Sequence, residues 1–215
     1  PLALKWNYVP KMIPWALQFI KNCTSKKMMH TATNMHQLLD LALPAYDELC
    51  DEIDLNELVK KKGILYIWND QNLKSRQLEI DVRNKLGVDQ QVVTPKEIHD
   101  LEPNIRPIYH GGVYYQYGRH ARNPRKILLK LFELYLKKGG KFLKINIKDI
   151  NFDEEKPIFK TENRRFIFDK VIIACGAFSK RLTDNLNEKI PLDTERGYHV
   201  HFKDCDHLLS RPVIF

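Results

Sequence analysis

Glycine and cysteine are scarce in this sequence, and their spacing argues against several familiar sites. The chain contains 9 glycines in 215 residues, and none of them forms the G-x-G-x-x-G turn of a dinucleotide-binding motif. The 4 cysteines lie far apart and include no C-x-x-C pair, which disfavours a zinc knuckle or a redox pair and suggests a reducing compartment. The sequence does not suggest a hydrolase, because neither a Ser-His-Asp order nor a paired-carboxylate arrangement stands out.

Long apolar runs are also missing. No run approaches the roughly 18–20 residues that a membrane-spanning helix needs. Pro10 and Pro14 interrupt the most hydrophobic N-terminal part, and Lys5 and Lys11 break the apolar centre that a secretory signal peptide requires. The sequence therefore predicts no transmembrane segment.

The chain is basic, with a formal net charge of +8, and a basic protein can bind nucleic acid, an anionic membrane or an anionic ligand. Its lysines are spread out, with small clusters only at 26–27, 60–62 and 137–138. No interleaving of aromatic and basic residues of the RNA-binding type occurs. We expect a solvated, lysine-rich surface and no nucleic-acid partner.

Helical and extended apolar patterns are mixed along the chain. Helices are predicted over 12–22, 30–53, 71–87, 94–103 and 123–138, the second of them kinked near Pro44. Strands are predicted over 64–68, 111–117, 141–147, 157–161, 164–168, 170–177, 198–202 and 212–215. This order rules out a simple bundle or sandwich and favours an α+β or α/β fold.

The segment "DKVIIACGAFS", residues 169–179, combines an apolar run with small residues. Such a run suits a parallel strand that is buried on both faces. In open α/β sheets, ligands bind beyond the carboxyl ends of the strands, which is where Ala174 to Ala177 would lie. The small residues there would let a flat or phosphate-bearing cofactor touch the backbone, or they would serve only the packing of a tight strand-to-helix turn.

Several segments in order resemble the FAD-dependent amine and amino-acid oxidoreductases. They are "VVTPKEIHDLEPNI", "GGVYYQYGRHARNP", "NPRKILLKLFELYLKKGGKFLKINIKDI", "FDKVIIACGAFSKRL" and "IPLDTERGYHVHF". The family includes D-amino-acid dehydrogenase and oxidase, glycine oxidase and sarcosine oxidase, and the helical 12–53 region and "RGYH" look most like bacterial D-amino-acid dehydrogenase. The resemblance implies part of an FAD-binding Rossmann-like domain interleaved with a mixed-sheet substrate domain that carries helices.

The sequence departs from that family at both ends. The family opens with a strand, a G-x-G-x-x-G turn and a helix, and it closes with a glycine-rich flavin segment and a substrate-clamping arginine. We therefore expect an internal fragment that binds FAD poorly by itself and is inactive alone. The expected domains are 1–118 for substrate binding, 119–185 for part of the FAD-binding domain, and 186–215 for the return to the substrate-domain sheet.

The resemblance also implies cofactor contacts at four residues. Ile147 matches the position whose backbone meets the adenine of FAD. Ala174, Cys175 and Gly176 match the small-residue turn near the ribose and pyrophosphate, although cysteine is a less usual occupant of that turn.

The resemblance places Arg196 and Tyr198 in the stretch that enters the substrate-side sheet, where they would contact the substrate. Tyr115 is a further candidate, because the tyrosines of its strand could line a substrate pocket. Alternating aromatics on a strand, such as those around Tyr115, also serve packing. No catalytic residue is assigned. We expect no metal site at His199 and His201, because two histidines on a half-buried strand explain the same pattern.

The function that the resemblance implies is oxidative deamination of an amino acid, foremost a D-amino acid. FAD takes a hydride from the carbon bearing the amine, and the imine hydrolyses to a keto acid and ammonia. The alternatives are oxidation of glycine or sarcosine, and a non-enzymatic basic protein that binds nucleic acid or an anionic membrane. The electron acceptor would be oxygen or a membrane quinone. The expected location is cytoplasmic, and peripheral contact with the inner face of the membrane is the alternative.

Overall fold

The chain folds into two compact units. The computed structural model describes residues 6, 9–70, 73–153, 156–160, 164–192, 194, 197–205 and 208–215. Unit 1 comprises Pro1–Tyr135 and Asp204–Phe215, and unit 2 comprises Leu136–Lys203. The chain thus leaves unit 1 once and returns to it. The domain boundaries expected at 118 and 185 stay a prediction.

Unit 1 begins with three helices, α1 (Val9–Asn22), α2 (Ser25–Leu39) and α3 (Ala42–Ile53). The prediction of one kinked helix over 30–53 is wrong, because the helix ends at Leu39 and a new one starts at Ala42. Pro44 has no N–H to donate to the carbonyl of Asp40, and its ring crowds that carbonyl. The interruption therefore falls one turn before the proline, and Pro44 itself sits in the first turn of α3, where no donor is needed.

The main sheet of unit 1 contains the described strands β2 (Ile64–Trp68), β3 (Gln91–Val93), β4 (Gly111–Tyr115) and β9 (Val213–Ile214). Their order across the sheet is β3-β4-β2-β9. The neighbours β3-β4 and β4-β2 are antiparallel, whereas β9 lies parallel to β2 with Leu65 opposite Val213. Gly112 permits the close approach of β4 to β2, since a Cβ at this position would lie 2.5 Å from the carbonyl oxygen of Tyr66. A smaller antiparallel pair joins β1 (Val59–Lys60) to β5 (His120–Ala121).

Helices pack on this sheet and fill its core. They are α4 (Leu73–Lys85) and α5 (Pro95–Leu101), and α6 (Pro124–Lys137) follows the small sheet. Thr94 and Glu97 form the capping box that the T-x-x-E pattern predicts for α5. The Asn-Pro pair at 123–124 predicts the start of α6, and Asn123 caps this helix, because its Oδ1 accepts from the backbone N–H of Lys126 at 3.0 Å. The largest buried cluster consists of Leu65, Ile67, Val93, Ile98 and Tyr109.

Unit 2 is a three-stranded antiparallel sheet with one short helix. Its elements are β6 (Ile150–Asp153), β7 (Lys156–Lys160), β8 (Arg165–Ile167), a 3₁₀ turn at Gly176–Phe178 and α7 (Ser179–Asn185). Ile150, Phe159 and Leu182 form its buried core, and Ile147, Val171 and Ile173 pack against them. The antiparallel meander agrees with the strands predicted over 157–161 and 164–168.

Three predicted strands are absent: residues 141–147, 170–177 and 198–202 carry no strand in the structure. The prediction that 171–174 is buried on both faces is also wrong, because Val171 and Ile173 are half-buried whereas Ile172 is 89% exposed. An apolar run supplies the side chains of a strand, but a strand also needs a neighbour that completes its hydrogen bonds. The described part of unit 2 pairs only β6, β7 and β8.

Candidate cofactor and substrate sites

The small-residue turn after Ile173 leaves its backbone open to solvent. Ala174, Cys175 and Gly176 are all exposed. Gly176 has a φ of +55°, which L-residues with side chains rarely adopt, and a Cβ there would meet no atom of the described part of the chain within 4 Å. Half-buried Val171 and Ile173 hold the preceding segment against the unit 2 core. The turn is thus anchored on one side and uncovered on the other.

Local hydrogen bonds fix the shape of this turn. The N–H of Cys175 donates to the Oγ of Ser179 at 3.1 Å, and the N–H of Phe178 donates to the carbonyl oxygen of Cys175 at 3.1 Å. The chain then enters α7, whose Leu182 is buried in the core. Both bonds are internal to the segment 175–179, so they hold the shape of the turn locally.

Ile147 belongs to the same unit and is tied to the same helix. Its carbonyl oxygen accepts a hydrogen bond from Nη2 of Arg181 on α7 at 3.4 Å, and its side chain packs against the core that Val171 and Ile173 also contact. Unit 2 therefore contains all four residues for which the resemblance implies FAD contacts. An anchored turn with an uncovered backbone fits a dinucleotide that lies against the peptide, and the individual contacts stay predictions.

Tyr115, the predicted substrate contact at the end of β4, is a half-buried residue of unit 1. Its hydroxyl donates to Oε1 of Gln90 at 3.5 Å, and its ring meets the edge of Tyr66 at 5.4 Å between centroids. The guanidinium of Arg83 lies 5.8 Å from the ring centroid. Burial raises the pKa of Tyr115, although the charge of Arg83 opposes that shift. The hydroxyl therefore stays protonated at neutral pH and acts as a hydrogen-bond donor.

The other predicted substrate contacts lie elsewhere in the chain. Tyr198 belongs to unit 2, is 89% exposed and has no regular secondary structure around it. Arg196 lies outside the described residues. The structure thus places Tyr115 and Tyr198 in different units, and their contact with a substrate stays a prediction. Among the described residues, no three His, Cys, Asp or Glu side chains are grouped so that they could hold a metal ion.

Unit 1 also contains a cavity of about 980 Å³, which the sequence does not predict. Apolar side chains of α2, α3 and α6 line it, together with Tyr115, Tyr117 and His120. Apolar residues recur at helical spacing in α2 and α3, and five of them line the cavity: Met35, Leu39, Ala42, Tyr46 and Leu49. This spacing is the one signal of the cavity in the sequence, and it does not distinguish residues of a filled core from residues that line an open space.

Two polar residues of the cavity wall, Arg119 and His120, differ in their hydrogen bonding. Arg119 donates two hydrogen bonds to Asp47, with Nη1–Oδ1 at 2.5 Å and Nη2–Oδ2 at 2.7 Å. These bonds, with a further one from Lys61, hold the pKa of Asp47 far below its usual range. In contrast, Nδ1 of His120 is buried and has no hydrogen-bond partner within the part of the chain that the structure describes.

His120 is a poor partner for an anionic ligand, for two reasons: its imidazole is neutral, and the charge of Arg119 beside it is already paired. Burial lowers the pKa of His120, and the positive charges of Arg122, Lys62 and Lys60 lower it further. A neutral imidazole brings no positive charge to the site, and the guanidinium of neighbouring Arg119 is engaged by Asp47.

Comparison with known proteins identifies relatives along nearly the whole chain. The D-amino-acid oxidase of Bradyrhizobium diazoefficiens is 29% identical over 202 residues, which are 93% of this chain and 48% of that protein. The D-amino acid dehydrogenase of Neisseria gonorrhoeae is 24% identical over 193 residues, 86% of this chain and 46% of that protein. The chain thus spans about half the length of these curated relatives.

A solved structure supports the fold. The glycine oxidase of Geobacillus kaustophilus superposes with a TM-score of 0.57 at 17% identity, over 77% of this chain and 44% of that chain. At this identity the likeness concerns the fold alone, and it agrees with the predicted α+β flavoprotein architecture. The family model described as FAD dependent oxidoreductase matches residues 9–214. This match includes both units and the open turn at Gly176, and the chain belongs to the FAD-dependent oxidoreductase family.

Proposed function

We propose that the full-length protein containing this chain oxidises a D-amino acid to the imine with FAD, and that the imine then hydrolyses to a keto acid and ammonia. The observation that carries the proposal is the family match over 9–214. The relatives named D-amino-acid oxidase and D-amino acid dehydrogenase, which align with 93% and 86% of this chain, support the choice of substrate.

The cofactor would be held in unit 2. When FAD is bound, its flavin would accept the hydride that leaves the carbon bearing the amine. The backbone of Ala174, Cys175 and Gly176 would lie against the ribose and pyrophosphate, and that of Ile147 against the adenine. The exposed turn supports this placement, because among the described residues no atom lies within 4 Å of a Cβ added at Gly176.

The substrate would be oriented by groups that donate hydrogen bonds. Tyr115 has a protonated hydroxyl, which would exchange its long 3.5 Å bond to Gln90 for one to the substrate. Arg196 and Tyr198 are the further residues that we propose for substrate binding. An arginine suits a carboxylate because its planar fork donates two parallel hydrogen bonds. We propose oxygen or a membrane quinone as the electron acceptor, and a cytoplasmic location with peripheral contact at the inner face of the membrane.

The cofactor site is tested by two matched glycine variants. Gly176→Ala adds a methyl group to the open face of the turn, and Gly139→Ala adds one elsewhere in unit 2. Both residues have positive φ, +55° and +88°, where a side chain strains the backbone, and neither Cβ would meet an atom of the described residues within 4 Å. We expect Gly176→Ala to weaken FAD binding roughly tenfold or more, because overpacking costs about 1–3 kcal/mol.

The measurement is FAD titration of the full-length protein, followed by flavin absorbance. Gly139→Ala should bind FAD like the wild type. Equal losses in both variants would refute the proposed role of the turn, and a protein that stays colourless with excess FAD would refute the function itself.

The substrate class is tested by anaerobic bleaching of the bound flavin. D-amino acids should bleach it and release ammonia and the keto acid, whereas L-amino acids should not. Bleaching by glycine or sarcosine alone would favour the secondary alternative, for which the fold of glycine oxidase provides the precedent. Strong nucleic-acid binding without any flavin would favour the non-enzymatic alternative.

A further inference from the structure

The N-terminal part of the chain has a charge pattern unlike the rest. Residues 1–39 contain no aspartate or glutamate, and the first acidic residue is Asp40. The same segment contains five lysines, at positions 5, 11, 21, 26 and 27. It therefore carries five of the eight net positive charges, although it is less than a fifth of the chain.

Helix α1 in this segment exposes most of its apolar side chains. Among its described side chains only Val9 and Ala16 are half-buried, and the rest are exposed. The rings of Trp15 and Phe19, which are 62% and 56% exposed, stack with their centroids 5.2 Å apart. The exposed apolar residues of α1 are Met12, Ile13, Trp15, Leu17, Phe19 and Ile20.

Helical spacing separates these apolar residues from the polar ones. At 100° per residue, the six apolar side chains occupy one broad side of α1, while Gln18, Lys21 and Asn22 lie on the other. Lys26 and Lys27 follow in the first turn of α2, and all three lysines are exposed. A broad aliphatic and aromatic face beside lysines, with no acidic residue, is the pattern of a helix that lies in a membrane interface.

We propose that α1 binds the surface of an anionic lipid bilayer. Its apolar side inserts at the level of the headgroups, while Lys21, Lys26 and Lys27 contact lipid phosphates. The helix has only 14 residues, and none of the described helices is both long and apolar enough to cross a bilayer. The contact is therefore peripheral.

The composition of this surface favours lipid over nucleic acid. Nucleic acid would use the lysines and the faces of Trp15 and Phe19. It would leave Ile13, Leu17 and Ile20 exposed to water, whereas the acyl boundary of a bilayer buries them. This inference deepens the peripheral location proposed above and does not depend on the catalytic proposal.

The test is co-sedimentation of the full-length protein with vesicles of phosphatidylcholine alone or mixed with phosphatidylglycerol. Binding should require the anionic lipid and should fall as salt is raised, because salt screens the lysines. Trp15→Ala should weaken binding by about tenfold or more, and Lys26→Gln by about fivefold. Leu128→Ala on α6 is the matched control, since Leu128 is also an exposed apolar residue of a 14-residue helix, and it should bind like the wild type.

Several results would overturn the proposal. One is no binding to anionic vesicles at low salt, and another is an equal loss for Trp15→Ala and Leu128→Ala. Protection of Trp15 from an aqueous quencher in the vesicle-free protein would show that polypeptide already covers the helix. Tighter binding to single-stranded RNA than to vesicles would assign the surface to nucleic acid. Amino-acid oxidation without vesicle binding refutes this surface alone, and vesicle binding without oxidation refutes only the enzymatic function.

Discussion

Replacing Glu102 by alanine should destabilise unit 1 more than any exposed ion-pair substitution in it. Glu102 follows α5, is only 2% exposed, and accepts hydrogen bonds from residues more than a hundred positions later in the chain. The backbone N–H of Ser210 donates to its two carboxylate oxygens at 3.1 and 3.0 Å, and the Ser210 hydroxyl donates to Oε1. Nε of Arg211 donates to Oε1 at 2.8 Å.

The expected magnitude comes from the charge that would be left behind. Arg211 has a side chain that is 13% exposed, and its guanidinium lies 5.3 Å from the ring centroid of Tyr114. Without Glu102 this largely buried cation loses the carboxylate that it pairs with, and removing one partner of a buried pair typically costs about 3–5 kcal/mol. In a domain of this size, such a loss lowers the melting temperature by roughly 6–20 °C.

The assay is denaturant and thermal unfolding of the full-length protein, followed by circular dichroism. Glu79→Ala is the matched control, because Glu79 is an exposed glutamate that pairs with Arg76 and Arg83 on α4. That variant should lose no more than about 1 kcal/mol. The double variant Glu102→Leu/Arg211→Met should recover most of the loss, since an apolar pair can replace a buried ion pair at little cost.

Two results would refute this reasoning. Equal losses for Glu102→Ala and Glu79→Ala would show that the buried pair contributes no more than a surface pair. A double variant as unstable as Glu102→Ala would show that the loss comes from packing or from the unpaired donors of Ser210, and not from the charge of Arg211.

The same carboxylate predicts how stability depends on pH. Burial works to raise the pKa of Glu102, but the hydrogen bonds from Ser210 and Arg211 outweigh it, so the pKa lies below its ordinary value of about 4.5. A carboxylate with a lowered pKa in the folded state stabilises the protein above the ordinary value, and this contribution is lost as the pH falls further. The wild type should therefore lose stability between neutral pH and pH values below about 4.5, and the Glu102→Gln variant should lose less over the same range.

Three further substitutions have definite expected outcomes. Gly112→Ala should unfold at a clearly lower denaturant concentration, by about 1–3 kcal/mol or more, because its Cβ would lie 2.5 Å from the carbonyl oxygen of Tyr66, and an unchanged midpoint would contradict the close strand pairing. Thr94→Ala should cost about 1 kcal/mol in the same measurement, because Thr94 Oγ1 caps the N–H of Glu97 at 3.3 Å, and a neutral effect would mean that the cap contributes nothing. The pKa of His120 is lowered, mainly by burial, so protonation of His120 should destabilise the folded wild type as the pH falls below about 6.5. His120→Asn should weaken this dependence of stability on pH, and an unchanged dependence would contradict the role of His120.

Local patterns in the sequence predict those elements whose hydrogen bonds are also local. The caps of α5 and α6 are examples, because Thr94 and Asn123 lie three residues before the N–H groups that they accept from. The antiparallel pair of β7 and β8 is another, since these two strands are neighbours in sequence. These interactions need no information from distant parts of the chain.

Elements that depend on distant partners are predicted poorly. The apolar run around Ile172 has the composition of a buried strand, but composition does not supply a pairing neighbour, and Ile172 is exposed in the structure. Glu102 looks like an ordinary helix-end glutamate in the sequence, because Ser210 and Arg211 follow only at the end of the chain. The candidate site shows the same division, since the small residues of the turn are visible in the sequence whereas the cavity wall is not.

The late return of the chain to unit 1 has a consequence for biosynthesis. Strand β9 is translated after all of Leu136–Lys203, yet it pairs with β2, which is translated before that segment. One edge of β2 therefore stays unpaired while all of Leu136–Lys203 is translated. Nascent chains in that interval expose a sheet edge that can join other polypeptides, so a ribosomal pause between codons 136 and 203 should increase aggregation or chaperone binding more than a pause after residue 215.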